Sequence, residues 1–275
     1  MRTSHSIYNQ DQILLSREAS MSAMAIGMGL TQIRRYHFAH PGFFYGGLLS
    51  FVSGVERLAK LILLYDYRLD NSNSYPTDRF LKDIGHKITD LITKAREINT
   101  KRGFANDESI LDDEILKRMI VFLTDFATQS RYYNLDYLSG RVQPHDEPLA
   151  RWDNEIASLI VQRHHRSTVE RQELQNQMAD LLKEFAWVQH TAEDGSEINS
   201  MAGMLQHSEL IPVKQRYSMF YLYQIAHFLS ELLSDLEFTG GFNPCLREFF
   251  MLYQNDDRAY ILRKKSWNPV SPFHF

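Results

Sequence analysis

The chain has 275 residues, of which 44% are hydrophobic and 12% aromatic, enough to bury a large core and to exclude an intrinsically disordered segment. Its 30 Lys+Arg against 34 Asp+Glu leave a net charge of -4, so no bulk positive field draws it to nucleic acid and any such contact needs a local patch. The single cysteine, Cys245, excludes an internal disulfide and a zinc site of several thiolates, which makes the cytoplasm the expected compartment.

In residues 11–36, Ile13, Leu14, Met21, Met24, Ala25, Met28 and Ile33 recur at three- and four-residue spacing, which predicts a first helix with its methionines in the core. His40-Pro41-Gly42 ends it. A second helix is predicted over 43–70, apolar throughout 48–65 except for a thin stripe of Ser50, Ser53, Gly54 and Arg57, with Glu56 and Lys60 beside it. Glu56, Arg57 and Lys60 would sit near mid-bilayer at about 2.5 kcal/mol or more each, so a membrane span is not expected. A helix wetted along so narrow a stripe must instead be surrounded, by its own bundle or by a partner subunit.

Asn71 through Pro76 stops this helix, and Thr77 and Asp78 are N-cap residues for a third reaching Asn99, antiparallel to the second. Over 109–138 the residues Ile115, Met119, Phe122, Leu123, Phe126 and Ala127 line one side of a fourth helix, closed by Ser139-Gly140. The segment 140–148, with two prolines, is the clearest linker. It divides a helical core, 1–143, from an extension, 144–275, although the two can pack as one unit.

Beyond the linker, 149–190 is helical and more polar, and 213–238 is a helix dense in aromatics. The runs REFFMLYQ and RAYILRKKSW, separated by Asn255-Asp256-Asp257, predict a C-terminal β-hairpin. The expected fold class is therefore all-α, a multi-helix bundle with a small C-terminal β-hairpin.

Glu56 and Lys60 form an i, i+4 pair in the favourable order. Arg163, His164, His165, Arg166 and Arg171 make the densest basic cluster, a solvated face or, through Arg163 and Arg166, an RNA-backbone contact. Asp83 and His86 lie three apart, yet no second such pair exists, and there is no Gly-rich phosphate loop or zinc ligand set. No metal or cofactor is expected.

The combination of GVERLAKLILLYD, a Tyr-Pro turn, LKDIGHKITDLI and a helix carrying RYYNLDY resembles the HEPN superfamily over roughly residues 43–140. These are four-helix units of prokaryotic toxins, phage-defence proteins and CRISPR-associated ribonucleases. The resemblance implies a HEPN-like four-helix core, a homodimer, and metal-independent RNA cleavage by an Arg and a His four to six residues apart. The matching positions are Arg131 and Tyr137, with Asn134 between them. That variant resembles HEPN toxins paired with nucleotidyltransferase antitoxins. Glu56, Lys60 and His86 are then expected to line the same cleft. Arg34 or Arg35 with His40 also satisfies the spacing, but precedes the resembling segment.

In such a site Arg stabilises the charge at phosphorus while a second side chain moves protons. Six steps along a regular helix leave two side chains about 120° apart, so Arg131 and Tyr137 converge only if the helix is distorted or a partner subunit completes the site. The missing His keeps a second expectation open, a non-catalytic helical adaptor that binds a cognate protein partner.

Overall fold

A computed structural model describes residues 9–142, 144–185 and 187–268. It is all-α with one small hairpin. The helix α1 (Gln10–Ile33) starts on a capping box, in which the Asn9 side chain accepts from Gln12 N and the Gln12 side chain from Asn9 N, both at 2.9 Å. The helix α2 (Gly42–Asp70) folds back along α1.

The two helices meet through small residues. A Cβ built on Gly54 would lie 2.7 Å from the Ile26 backbone nitrogen, one on Gly29 would lie 2.6 Å from Phe51 Cβ, and Ser22 Oγ donates to the Gly54 carbonyl at 2.8 Å. This overturns the expected face of α1. Ala19, Ser22, Ala23, Ile26 and Gly29 are buried, while Met21, Met24 and Met28 stand about half exposed, at 48%, 53% and 49%. Close backbone approach selects the face of smallest side chains, and three methionines would hold the helices apart.

The expected third helix is two, α3 (Asp78–Asp83) and α4 (Ile88–Arg102), separated at Gly85, whose φ of +76° a helix cannot continue. The fourth is also divided. A 3-10 turn, Glu108–Asp112, leads into α5 (Glu114–Asp125), which passes through a π turn, Phe126–Ser130, before α6 (Tyr133–Leu138). Thr124 and Thr128 each donate to the carbonyl four residues back, at 3.0 and 2.8 Å, bonding that bends a helix.

Next, α7 (Pro148–Trp152) runs through a π turn, Asp153–Ala157, into α8 (Ser158–His164), and α9 (Val169–Leu182) follows. The strands β1 (His190–Thr191) and β2 (Glu197–Ile198) pair antiparallel, His190 opposite Ile198 and Thr191 opposite Glu197. Helix α10 (Met201–Gly240), about 60 Å long, packs along α2 and α1. One apolar core draws on both sides of the 143/144 boundary, including Phe44, Phe122, Trp152, Leu222, Phe250 and Trp267.

The hairpin thus lies at 190–198 and the tail is helical, as α11 (Arg247–Phe250), a 3-10 turn (Met251–Tyr253) and α12 (Arg258–Arg263). Asp257 explains why Asn255-Asp256-Asp257 is not a hairpin turn. Its carboxylate accepts from Ala259 N and Tyr260 N at 2.9 and 3.0 Å, an N-cap. The tail's aromatics are used as a core, with Tyr253 OH donating to the Ala23 carbonyl at 2.6 Å and Trp267 N to Thr31 Oγ1 at 2.8 Å. Among the described residues no helix is long and apolar enough to cross a membrane.

Candidate functional site

Glu56 projects from the middle of α2. Its Oε1 accepts from Lys60 Nζ at 2.7 Å, one turn on along the same helix, and lies 2.7 Å from His86 Nδ1. A carboxylate offers only acceptors, so the Nδ1 proton points at Glu56 and Nε2 is left to accept or release a proton. His86 comes to this place because the αL residue Gly85 turns the chain between α3 and α4. Thr124 Oγ1 then fixes the start of α4 by accepting from Thr89 N at 2.9 Å.

The same threonine stands just before the π turn, at whose end Arg131 enters the lining of the same cleft as His86. That cleft, about 440 Å³, is lined by Leu49, Ser53, Glu56, His86, Thr128 and Arg131 among others. Arg131 lies over the Tyr132 ring at 5.2 Å, and no carboxylate pairs with it among the described residues. A guanidinium without a carboxylate partner, in the same cleft as an imidazole oriented by a carboxylate, can hold a phosphodiester and move a proton at it.

Four of the five expected residues therefore meet, Arg131, Glu56 and His86 in the cleft wall and Lys60 2.7 Å from Glu56 Oε1 and 3.5 Å from His86 Nδ1. The fifth, Tyr137, is elsewhere. The helix is distorted where convergence required it, between Arg131 and Tyr133, but Tyr137 stacks on Tyr133 at 6.1 Å and is 66% exposed, outside the cleft lining. The sequence reading passed over Ser53 and Thr128 as cleft-lining groups, although Ser53 precedes Glu56 by three positions and so shares its face.

The basic cluster does not form one face. Helix α8 ends at His164, so residues 163–166 straddle a helix end. Arg163 pairs with Asp113 and donates to Tyr221 OH at 2.9 Å, while Arg171 and His165 lie 3.1 and 3.6 Å from Glu209 Oε1. Arg166 is exposed and donates to its neighbour's carbonyl, His165 O, at 2.8 Å. His40 faces His37, ring nitrogen to ring nitrogen at 2.9 Å, and Asp83 lies 3.7 Å from Arg79, so His86 is oriented by Glu56 and not by Asp83.

A buried charge cluster escaped the sequence reading altogether. Glu193, on the loop of the hairpin, is 1% exposed at its side chain, with Oε2 2.6 Å from His207 Nε2 and 3.7 Å from Lys214 Nζ, and Lys214 lies 2.6 Å from Asp153 Oδ1. Burial pushes the Glu193 carboxyl up, but His207 and Lys214 outweigh it and hold it at about 2. The sequence carried no periodic signal for this residue. Its partners His207 and Lys214 lie about two turns apart on α10, and only the folded hairpin brings Glu193 to them.

Comparison with family models, curated proteins and solved structures finds no match to this chain.

Proposed function

We propose that this chain is a HEPN-like endoribonuclease that cleaves RNA at the cleft between α2, the start of α4 and the π turn after α5. The observation that carries the reading is that His86, oriented by Glu56, and the carboxylate-free Arg131 line one cleft. In this reading Arg131 binds the scissile phosphate and stabilises the charge that develops there. His86 Nε2 takes the proton of the attacking 2'-hydroxyl and returns one to the leaving oxygen. Lys60, donating to Glu56 Oε1 at 2.7 Å, holds that carboxylate in place. His86 thus takes the proton-transfer role that the resemblance implies for Tyr137.

The site is proposed to work as a homodimer, in a defence or toxin setting. Support comes from α6, which follows Arg131 directly and buries none of its residues although it carries Leu135, Tyr137 and Leu138. Leu49, at the cleft wall, is also exposed. Apolar surface left bare beside a polar cleft fits a second copy laid across it.

The test is incubation of purified protein with mixed RNA in the presence of a chelator. The wild type and Tyr137→Phe are expected to cleave, and Arg131→Ala and His86→Ala to leave the RNA intact. Intact RNA in every lane favours the adaptor that binds a protein partner.

A further inference from the structure

A second cleft, about 650 Å³, opens between the 3-10 turn before α5, the end of α8, the middle of α10 and α12. It shares no residue with the cleft at Arg131. Its walls come from segments centred near residues 112, 164, 224 and 258, so it exists only in the folded chain.

Most polar groups in it satisfy one another. Arg163 is neutralised by Asp113. His227 Nδ1 lies 2.8 Å from the Tyr253 carbonyl and its Nε2 3.2 Å from Asp256 Oδ1. Burial, with Arg258 and Arg163 nearby, holds His164 down at about 4, so it is neutral at pH 7, and its Nε2 lies 2.8 Å from Tyr221 OH. That phenol accepts from Arg163 at 2.9 Å.

Two polar side chains of the lining make no hydrogen bond or ion pair among the described residues. The Arg258 guanidinium lies over the Phe220 ring at 5.3 Å and has no ion-pair partner, and the Gln224 amide, one turn of α10 from Phe220, has no side-chain hydrogen bond. Phe220 and Tyr221 are nearly buried, so the aromatic wall is fixed before anything binds.

One uncommitted cation, one uncommitted amide and a rigid aromatic wall specify a ligand with one anionic group, one flat ring and a polar ring edge. The volume is in the range of small-molecule sites, about 300 to 1,000 Å³. We propose that this cleft binds a mononucleotide, with the phosphate on Arg258, the base against the edges of Phe220 and Tyr221 that the cleft leaves open, and its polar edge on Gln224. The ligand would replace water around the guanidinium with a charge-assisted bond without disturbing the paired residues beneath. This inference does not depend on RNA cleavage at the other cleft.

The experiment is calorimetric titration of the full chain with AMP, GMP, CMP and UMP, and separately with adenosine and with inorganic phosphate. At least one mononucleotide is expected to bind one-to-one, about ten-fold or more tighter than nucleoside or phosphate alone. Arg258→Gln, an exposed position, should weaken it about ten-fold or more. Gln224→Leu should narrow the differences among the four bases, and His86→Ala should bind as the wild type does. The proposal is overturned if no mononucleotide binds, if inorganic phosphate binds as tightly as the best of them, or if Arg258→Gln, shown folded by circular dichroism, binds unchanged.

Discussion

The Glu56 carboxylate lies 2.7 Å from His86 Nδ1, with Lys60 Nζ 3.5 Å from the same nitrogen, and the contact ties the middle of α2 to the turn between α3 and α4. An imidazole held at one nitrogen presents the other in a fixed direction. Replacing His86 by Ala is expected to lower RNA cleavage about 10²-fold or more, the usual contribution of a positioned acid–base group. Arg131→Ala should cost about 10² to 10³-fold, and Tyr137→Phe less than about two-fold. Initial rates on one labelled RNA under single-turnover conditions measure all three, and a slow Tyr137→Phe with a fast His86→Ala would reverse the assignment.

Thr124 connects the two sides of that cleft, since its hydroxyl accepts from Thr89 N at 2.9 Å and donates to the Ile120 carbonyl at 3.0 Å. Thr124→Val keeps the shape and leaves a backbone N–H without its partner. A loss of about 1 to 3 kcal/mol in urea unfolding is expected. Cleavage should fall too, although Thr124 is not in the cleft lining.

Gly54 and Gly42 make a matched pair on α2. A methyl group at Gly54 would press on the α1 backbone at 2.7 and 2.8 Å, whereas one at Gly42 meets nothing within 4 Å. Gly54→Ala should therefore destabilise by about 1 to 3 kcal/mol. Gly42→Ala should be neutral or add up to about 1 kcal/mol through helix propensity. Equal shifts in denaturation midpoint for the two variants would contradict the close crossing of α1 and α2.

The acid limb of stability should carry the signature of Glu193. Its carboxyl, ordinarily near 4.5, sits at about 2 in the folded chain, so the unfolded state takes up the proton first as pH falls. The contribution is full above about pH 4.5 and is lost as pH drops toward 2, on the order of 3 kcal/mol in all. Glu193→Gln should be less stable at pH 7 and should show a flatter fall between pH 4.5 and 2. Denaturant titrations at several pH values would detect it, and parallel curves for the two proteins would remove Glu193 from the account.

The class of fold and the positions of α1 and α2 were legible because long apolar runs at helical spacing have few alternatives. What periodicity did not give was which face of α1 is buried, because the alanine–glycine–serine face and the methionine face repeat with the same period and only backbone proximity separates them. The tail was misread for a related reason. Phe249, Phe250, Tyr253 and Ile261 have strand-like propensity, but burial against α1 and α10 and the Asp257 cap decide for helix. Glu56, His86 and Arg131 could each be picked out along the chain. Their meeting depends on a left-handed glycine and a π turn, neither of which has a sequence period.

The hairpin rests on a small apolar cluster of its own, Val188, Ala192 and Ile198 with Met201 and Met204, separate from the main core. Its opening therefore need not wait for the bundle to unfold. Amide protons from 188 to 198 are expected to exchange with deuterium through a local fluctuation much cheaper than global denaturation, with the Glu193 carboxylate as the principal brake on that motion.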